Sequence, residues 1–446
     1  MWSLLKECSE QFLLLGLFLG IFYYFFTTTF NFWESRGVPF RKPIVLFGNF
    51  APLLLFRESL PECIKEMYEW FKDERFFGVF RVRSPVLILR DPNLIKDICV
   101  KNFSCFSNRG IPVNSQDPLS GHLFNLEGKK WKSLRAKLTP AFSSGKLKRM
   151  FYLLEECSEE FQKLIDESSK TVRPIEAREL AAKFTIDVIG TCAFGIQINA
   201  LTDEESEFHR AAKKLSKPSY KTTLWRMLRT AVPKLYKFLG VQVIDPGVTE
   251  FFKNVVSQMI SQRQKHAVKR YDFMDLLIEL KNKGTLENDS GTGQTDNMND
   301  GEAAEEIETL RKYPPAAMLS RRCEYRYQIP GTKVELPAGI RVIIPIYGLH
   351  HDPEYYPNPA TFDPERFTEE NKRSRPPFTY LPFGEGPRNC IGMRFALLQI
   401  KVGIISFLRN HRVETCERTA TPIKFSRRSN VTTNEKGFWL RIVPTS

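Results

Sequence analysis

One cysteine near the C-terminal end of the chain lies in a frame that a structural cysteine does not need. In PFTYLPFGEGPRNCIGMRFALLQIK, residues 377–401, Cys390 follows Gly384 and Gly386, which permit turns that other residues rarely adopt. An apolar helical run begins at once, so unpaired backbone N–H groups and the helix dipole would stabilise a thiolate. Arg388 supplies a nearby cation. The frame predicts a rigid loop that offers a thiolate to a ligand, and the alternative is a structural cysteine at a helix start.

The other cysteines give no sign of a disulfide framework or a zinc site. The nine cysteines lie at positions 8, 63, 99, 105, 157, 192, 323, 390 and 416. Their number is odd and none forms a Cys-x-x-Cys pair. We therefore expect reduced thiols, as in a cytosolic protein, for the eight cysteines other than Cys390.

The N-terminal segment predicts a membrane-spanning helix. Residues 11–33, QFLLLGLFLGIFYYFFTTTFNFW, carry no charge over 23 positions. At about 1.5 Å per residue, such a helix crosses the roughly 30 Å hydrocarbon layer. Arg36, Arg41 and Lys42 follow it, which places the rest of the chain in the cytosol. We predict an uncleaved anchor over residues 1–33; a cleaved signal peptide is the alternative, although its apolar region would be shorter.

The remaining chain predicts a short linker and one large, mainly helical domain. Three prolines stiffen residues 34–52, which we assign to a linker, and residues 53–446 form the domain. Most of 129–282 has the 3.6-residue periodicity of helices. Runs of β-branched and aromatic residues predict a hairpin over 76–91 and strands within 334–348. The expected fold class is mainly α with small β-sheets.

The basic composition indicates an acidic partner or a membrane surface. The chain has a formal net charge of +14, and charge of this kind informs on partners and not on fold. Nucleic-acid binding is not expected, because the sequence has no zinc-finger spacing and no basic module interleaved with aromatic residues.

The segment Phe383–Gly392 resembles the haem-binding signature of the cytochrome P450 family. Phe383, Arg388, Cys390 and Gly392 all stand in register with that signature. The resemblance implies a haem-thiolate fold in which Cys390 is the axial ligand of the iron of a haem (iron protoporphyrin). The other three residues would contact the cofactor.

Two further motifs match the ion network of that family. ETLR at 308–311 matches its Glu-x-x-Arg motif, and PERF at 364–367 supplies a partner arginine. The resemblance implies a buried network of Glu308, Arg311 and Arg366, in which two guanidinium groups compensate one carboxylate. Taken alone, the first motif would be an ordinary surface ion pair and the second a loop.

Two more segments resemble the parts of the family that meet the haem propionates. WKSLR, at 131–135, matches its Trp-x-x-x-Arg motif, and the four-residue spacing puts Trp131 and Arg135 on one helix face. By the same resemblance Arg321, in SRRC, would meet a propionate. The basic stretch 129–149 resembles the docking surface for an acidic electron donor. An amphipathic helix stripe is the alternative for the first, and a solvated basic face for the second.

The resemblance also indicates a substrate pocket and a substrate class. The expected pocket residues are Phe124, Ala316, Ala317 and Met318, each of which could equally be plain core. The segments SSGKLK and GMRFALLQIK resemble the animal microsomal branch, including insect members, which oxidises xenobiotics and steroids.

One part of the family pattern is missing. The polar residues 284–301 run through EAAEEIE directly into the Glu-x-x-Arg motif. In the family, a central helix with an oxygen-activating groove precedes that motif. We therefore predict an internal deletion near residues 302–309, on the order of 60 residues or roughly 90 Å if helical.

Two functions from different classes remain open. The first is a haem-thiolate monooxygenase on the endoplasmic reticulum membrane that faces the cytosol. It would oxidise apolar small molecules with O₂ and electrons from NADPH–cytochrome P450 reductase. The second is a catalytically impaired or inactive truncated member that only binds haem or docks the reductase.

Overall fold

The computed structural model describes residues 2–114, 117–171, 173–198, 200–201, 206–216, 225, 228, 232–240, 242–266, 269–284, 286 and 304–445. Most of the polar segment 284–301 lies outside the described residues, as do residues 302–303 of the predicted deletion site. The other predicted site residues all lie within them.

Helices dominate the described part of the chain. The α-helices, α1 to α15 in chain order, are Trp2–Thr27, Ala51–Leu54, Leu60–Glu69, Pro92–Lys96, Gly128–Leu138, Ser144–Ser169, Ala177–Ile189, Glu207–Ser216, Pro233–Phe238, Pro246–His266, Phe273–Lys283, Ala304–Lys312, Ile346–His350, Glu369–Ser374 and Met393–Leu408. The strands, β1 to β9, are Phe76–Arg81, Ser84–Leu89, Ile175–Glu176, Leu319–Arg322, Tyr327–Gln328, Glu335–Leu336, Arg341–Ile344, His411–Glu414 and Trp439–Pro444. The predicted class, mainly α with small sheets, is confirmed.

The strands form three small sheets. The largest has the order β1-β2-β7-β4, with β2 and β7 parallel and the other pairs antiparallel. The predicted hairpin over 76–91 is confirmed, and its last pair joins Arg81 to Ser84. The other sheets have the orders β3-β9-β8 and β5-β6.

Helix α1 contains an 18-residue stretch, Glu10–Thr27, that is long and apolar enough to cross a membrane. The helix ends at Thr27, before the end of the predicted anchor at residue 33. Trp33 is fully buried against β1, where its indole N–H donates a 3.0 Å hydrogen bond to the carbonyl of Val79. A side chain at Gly78 would overlap the indole ring. The residues after α1 therefore pack on the main sheet.

The helix that follows Cys390 packs by one side on a helical core. Helix α15 lies against α6 and α7, where the rings of Phe161 and Phe184 stack at 4.6 Å. A Cβ atom at Gly403 would come within 2.9 Å of the Phe184 ring, so glycine permits this close approach. This packing holds the beginning of α15, and with it the loop of Cys390, against the rest of the domain.

Candidate functional site

The loop of Cys390 is shaped by backbone conformations that glycine favours. Gly384 and Gly386 have φ values of 72° and 76°. A side chain at Gly386 would collide with the backbone carbonyl of Cys99. The backbone N–H of Cys390 donates a 2.9 Å hydrogen bond to the carbonyl of Phe383, which closes the loop. The thiol of Cys390 is exposed at its surface.

Cys390 lies just before α15 and not in its first turn. The helix begins at Met393, and Gly392 is its N-cap residue, slightly later than the start directly after Cys390 that the sequence predicted. A Cβ atom at Gly392 would meet only the ring of Phe142, at 3.6 Å. The surface beside the thiol therefore has room for a ligand to approach the backbone.

Four arginines converge on this loop. They are Arg109, Arg135, Arg321 and Arg388. Arg388 is 2% exposed and donates hydrogen bonds to the carbonyls of Ser107 at 2.8 Å and Leu126 at 2.7 Å. Its guanidinium group lies 4.0 Å from the ring centroid of Trp131. Arg388 thus fastens the loop to the segment before α5.

Helix α5 brings Trp131 and Arg135 to the same place, as their spacing predicted. Trp131 is buried under Arg388, and Arg135 donates two 2.8 Å hydrogen bonds, to the backbone carbonyl and the side-chain oxygen of Asn389. Arg135 therefore holds the residue that precedes Cys390. Both side chains contact the loop, and their predicted contact with a propionate stays a prediction.

Arg109 is a site residue that the sequence analysis missed. It is 9% exposed and donates hydrogen bonds to the carbonyls of Phe124 at 3.0 Å and Arg388 at 3.1 Å. Its Nε atom is buried with no hydrogen-bond partner among the described residues. No local pattern distinguishes this arginine, because its partner Arg388 is far away in sequence.

Among the buried arginines of the described residues, Arg321 has the most side-chain nitrogens without a hydrogen-bond partner. It lies in β4 opposite Val342 of β7 and is fully buried. Nη1 donates to the carbonyl of Ser320 at 3.1 Å, whereas Nε and Nη2 have no partner among the described residues. A buried guanidinium group in this state is costly unless an anion binds it.

The cluster needs negative charge. Burial, together with repulsion from the neighbouring arginines, lowers the pKa of Arg109 to about 9 and that of Arg388 to about 10. Burial also lowers the pKa of Arg321 and of Arg135. A flat ligand that carries carboxylates and takes a thiolate ligand would fit these groups. The two propionates and the iron of haem meet this requirement.

A second group of side chains forms the ion network that the motifs predicted. Glu308 and Arg311 are fully buried in α12 and form two hydrogen bonds of 2.6 and 2.7 Å. Arg366 approaches the Glu308 carboxylate to 3.8 Å, and the backbone N–H of Asp363 donates to it at 3.1 Å. The structure thus brings together all three residues of the predicted network.

His350 connects this network to the segment before the Cys390 loop, a role that the sequence analysis missed. Its Nε2 atom accepts a 2.8 Å hydrogen bond from the backbone N–H of Leu381. Its Nδ1 atom lies 3.0 Å from the carbonyl of Arg311, so Nδ1 carries the proton and the ring is neutral. No motif marks this histidine in the sequence.

The predicted pocket residues lie in different surroundings. Phe124 is 49% exposed, and the guanidinium group of Arg109 lies 3.8 Å from its ring centroid. Ala317 and Met318 pack in the cluster that includes Ile64 of α3, whereas Ala316 packs against the core of the main sheet. Their role in a substrate pocket stays a prediction.

Comparisons with known proteins identify the family. The cytochrome P450 family model matches residues 38–307 and 307–441. The chain is 34% identical to cytochrome P450 6k1 of Blattella germanica, with 95% of each chain covered. It is 35% identical to cytochrome P450 6a8 of Drosophila melanogaster, over 95% of this chain and 97% of that protein.

These matches have one common irregularity. The family model matches this chain in two parts, and these two parts meet at Ile307. The alignment with cytochrome P450 6k1 extends over 499 positions, more than the 446 residues of this chain, so part of that relative has no counterpart here. The extent of the match, and the Cys390 frame that agrees with it, leave one assignment: the chain belongs to the cytochrome P450 family of haem-binding monooxygenases.

Proposed function

We propose that this protein is a membrane-anchored monooxygenase that oxidises apolar small molecules such as xenobiotics or steroids. When haem is bound, Cys390 would ligate its iron, and Arg109 and Arg321 would hold its propionates. The observation that carries the proposal is the convergence of four arginines beside an exposed thiol; two of them, Arg109 and Arg321, have buried side-chain nitrogens without a hydrogen-bond partner among the described residues. When bound, haem supplies the oxygen chemistry, which protein side chains cannot perform.

The residues around the thiol hold it in position. Arg135 fixes Asn389, and Arg388 fastens the loop to the carbonyls of Ser107 and Leu126. Because the loop is also closed by the bond from Cys390 to Phe383, the thiolate has little freedom to move. Such preorganisation favours a metal ligand over a mobile surface cysteine.

The proposed electron donor of this protein is NADPH–cytochrome P450 reductase. While Trp131 and Arg135 of α5 face the Cys390 loop, Lys129, Lys130 and Lys132 of the same helix are exposed. A basic surface directly behind the loop is complementary to an acidic donor, and charge of this kind raises the rate of encounter. The opposite faces of α5 therefore serve the loop and the donor.

The proposed location of this protein is the endoplasmic reticulum membrane, with the haem domain in the cytosol. Helix α1 supports it through the apolar stretch Glu10–Thr27, and the basic residues that follow support a cytosolic domain. Trp33 and its contact with Val79 tie the end of the anchor segment to the main sheet, so the domain stays close to the membrane.

The alternative is a catalytically impaired or inactive member that binds haem or docks the reductase. The meeting of the two family-model matches at Ile307 and the length of the relatives' alignments support this alternative. In this reading the ion network and the Cys390 loop persist, whereas a segment that precedes Glu308 in the relatives is absent.

The test uses the full chain, expressed in membranes with haem supplied and reconstituted with the reductase. The proposal expects a thiolate-type band in the carbon monoxide difference spectrum of the reduced protein, and NADPH consumption coupled to oxidised product. A normal band without product would support the impaired alternative. Failure to bind haem at all would contradict the proposed enzyme and would leave, of the alternative, only the member that docks the reductase.

A further inference from the structure

An open cleft lies between the segment that follows the anchor helix and the hairpin of β5 and β6. It has a volume of about 480 Å³, and its walls carry three cations, Arg36, Arg326 and Lys333, and one carboxylate, that of Glu335. We call it the anchor cleft. Glu335 approaches Arg326 to 3.5 Å between Oε1 and Nε. Three positive charges against one negative charge leave a net charge of +2 on the side chains that line the cleft.

The sequence of the hairpin places its charged side chains on the cleft side. Along this stretch the side chains alternate, as in any strand. Val334 and Leu336 are buried in the core of the main sheet, whereas Lys333 and Glu335 are exposed. Val38, next to the opposite wall, packs in the same core. One apolar core therefore joins the two walls of the cleft and fixes their separation.

Arg36 is held in position on its own wall. Its guanidinium group lies 3.9 Å from the ring centroid of Phe32. Nη1 donates hydrogen bonds to the carbonyl of Phe32 at 3.0 Å and to the hydroxyl of Ser35 at 3.2 Å. Because Trp33 is fully buried, this segment does not move independently of the domain. A guanidinium group fixed in this way offers its remaining N–H donors in the fork geometry that suits a phosphate.

The anchor cleft lies close to the point where α1 leaves the membrane. The hydroxyl of Thr29 donates a 2.5 Å hydrogen bond to the carbonyl of Arg83, whose guanidinium group lies 4.0 Å from the ring centroid of Phe25. Between Thr27 and Arg36, backbone hydrogen bonds reach back three or four residues. At the rise of a helix these residues span about 14 Å. This length is comparable to the headgroup layer of one leaflet, roughly 5–8 Å, together with the roughly 8 Å over which its charge acts.

We propose that the anchor cleft binds the headgroup of an anionic phospholipid from the bilayer that holds α1. The phosphate of such a lipid would accept hydrogen bonds from Arg36, Arg326 and Lys333. A zwitterionic lipid such as phosphatidylcholine ends in a quaternary ammonium group, which the net positive charge of the cleft repels. The inference rests on the membrane anchor of the proposed function and goes beyond its oxygen chemistry.

The test measures which lipids the full chain retains. The chain is purified in detergent micelles that contain equal amounts of phosphatidylserine and phosphatidylcholine, and native mass spectrometry gives the ratio of the two bound lipids. For the parent we expect a ratio of about 5 or more in favour of phosphatidylserine, the factor that one basic residue near an anionic lipid contributes. Arg326→Gln/Lys333→Gln should lower this ratio by about 5-fold or more.

Arg412→Gln/Lys163→Gln is the matched control. It removes the same charge from exposed positions on β8 and α6, and Arg412 pairs with Glu414 at 3.2 Å much as Arg326 pairs with Glu335. The control should keep the lipid ratio of the parent. An equal loss in both double variants would mean that the net charge of the protein, and not the cleft, selects the lipid, and the proposal would be wrong.

A variant with the opposite expected effect covers the case in which the double variant does not fold. Glu335→Gln removes the carboxylate that competes for Arg326, so the ratio of phosphatidylserine to phosphatidylcholine should rise. Glu414→Gln makes the same change at the control pair and should leave the ratio unchanged. An unchanged or lower ratio for Glu335→Gln would contradict the proposal.

Two further measurements identify what has failed. Inorganic phosphate is added in excess, and phosphate bound to the parent without any preference between the lipids would show a site for a soluble anion and overturn the proposal. Resistance of the chain to carbonate extraction from membranes reports on the anchor. A resistant chain with a lipid ratio of about 1 would overturn this inference and leave the proposed location standing. Lipid preference does not require turnover, so a preference without a thiolate-type band would contradict the proposed enzyme and support this inference.

Discussion

The imidazole of His350 accepts a hydrogen bond from the backbone N–H of Leu381, and both residues are buried. Its other nitrogen donates to the carbonyl of Arg311. One neutral ring thus joins the ion network of α12 to the segment that leads into the Cys390 loop. Protonation of this ring would break the bond to Leu381, because a cationic imidazole has no acceptor nitrogen.

The first prediction concerns acid sensitivity. Burial lowers the pKa of His350 to about 3 and that of His351 to about 4, against about 6.5 in an unfolded chain. Between pH 6.5 and these values, the unfolded chain binds protons that the folded chain does not. The free energy of unfolding should therefore fall as pH falls, by up to about 1.4 kcal/mol per pH unit for each histidine.

His350→Gln isolates the contribution of His350 in urea unfolding of the full chain between pH 7 and pH 4.5. The glutamine oxygen can still accept from Leu381, but the side chain does not titrate. Because the variant lacks the hydrogen bond to Arg311, we expect its free energy of unfolding at pH 7 to be roughly 1–3 kcal/mol lower than that of the parent. We also expect this free energy to depend less steeply on pH. Equal slopes for the variant and the parent would contradict this role of His350.

The second prediction concerns the buried carboxylate of Glu308. Glu308→Gln removes the charge that compensates the fully buried Arg311. Breaking one side of a buried pair in this way should lower the free energy of unfolding by about 3–5 kcal/mol. Glu305→Gln, on the exposed side of the same helix, should change it by less than about 0.5 kcal/mol. Similar urea midpoints for the two variants would show that the network is not structural.

The third prediction separates the effect of Arg321 on the stability of the haem-free protein from its effect on haem binding. Its Nε and Nη2 atoms are buried without partners among the described residues. In the haem-free protein, Arg321→Met should therefore be neutral or stabilising, by up to about 4 kcal/mol. In haem titrations the same variant should bind about 2–5 kcal/mol more weakly, because a propionate loses its partner.

The neighbouring arginine provides the control. Arg322 has its own carboxylate partners, with Glu127 at 2.8 Å and Glu324 at 2.9 Å, and is partly exposed. Arg322→Met should cost up to about 1 kcal/mol of stability and leave haem affinity unchanged. Equal haem affinities of the Arg321 and Arg322 variants would remove Arg321 from the proposed site.

The parts of the site that could be predicted depend on local spacing. Trp131 and Arg135 are four residues apart, and Glu308 and Arg311 three apart, so the helix period places each pair on one face whatever the rest of the fold does. The Cys390 loop could also be predicted from the sequence, because positive φ values at Gly384 and Gly386 are a local property.

The parts that could not be predicted depend on contacts between distant segments. Arg109 binds the carbonyl of Arg388 across 279 positions of sequence, and His350 meets Leu381 only because α13 packs beside the approach to the loop. The pattern of α15 was ambiguous for the opposite reason. Its residues are apolar on every side, so periodicity could not distinguish the face that packs on Phe184 from the face that holds Ile404.

The last prediction concerns the thiol itself. Cys390 is exposed, so Cys390→Ser should change the free energy of unfolding of the haem-free protein by less than about 0.5 kcal/mol. The same variant should lose the thiolate-type carbon monoxide band, because a serine hydroxyl is a poor ligand for this iron at neutral pH. Cys416→Ser, at a partly exposed cysteine outside the loop, controls for loss of a thiol in general. If Cys390→Ser kept the absorbance of the parent, another residue would ligate the iron, and the four arginines would have to be explained by a different anion.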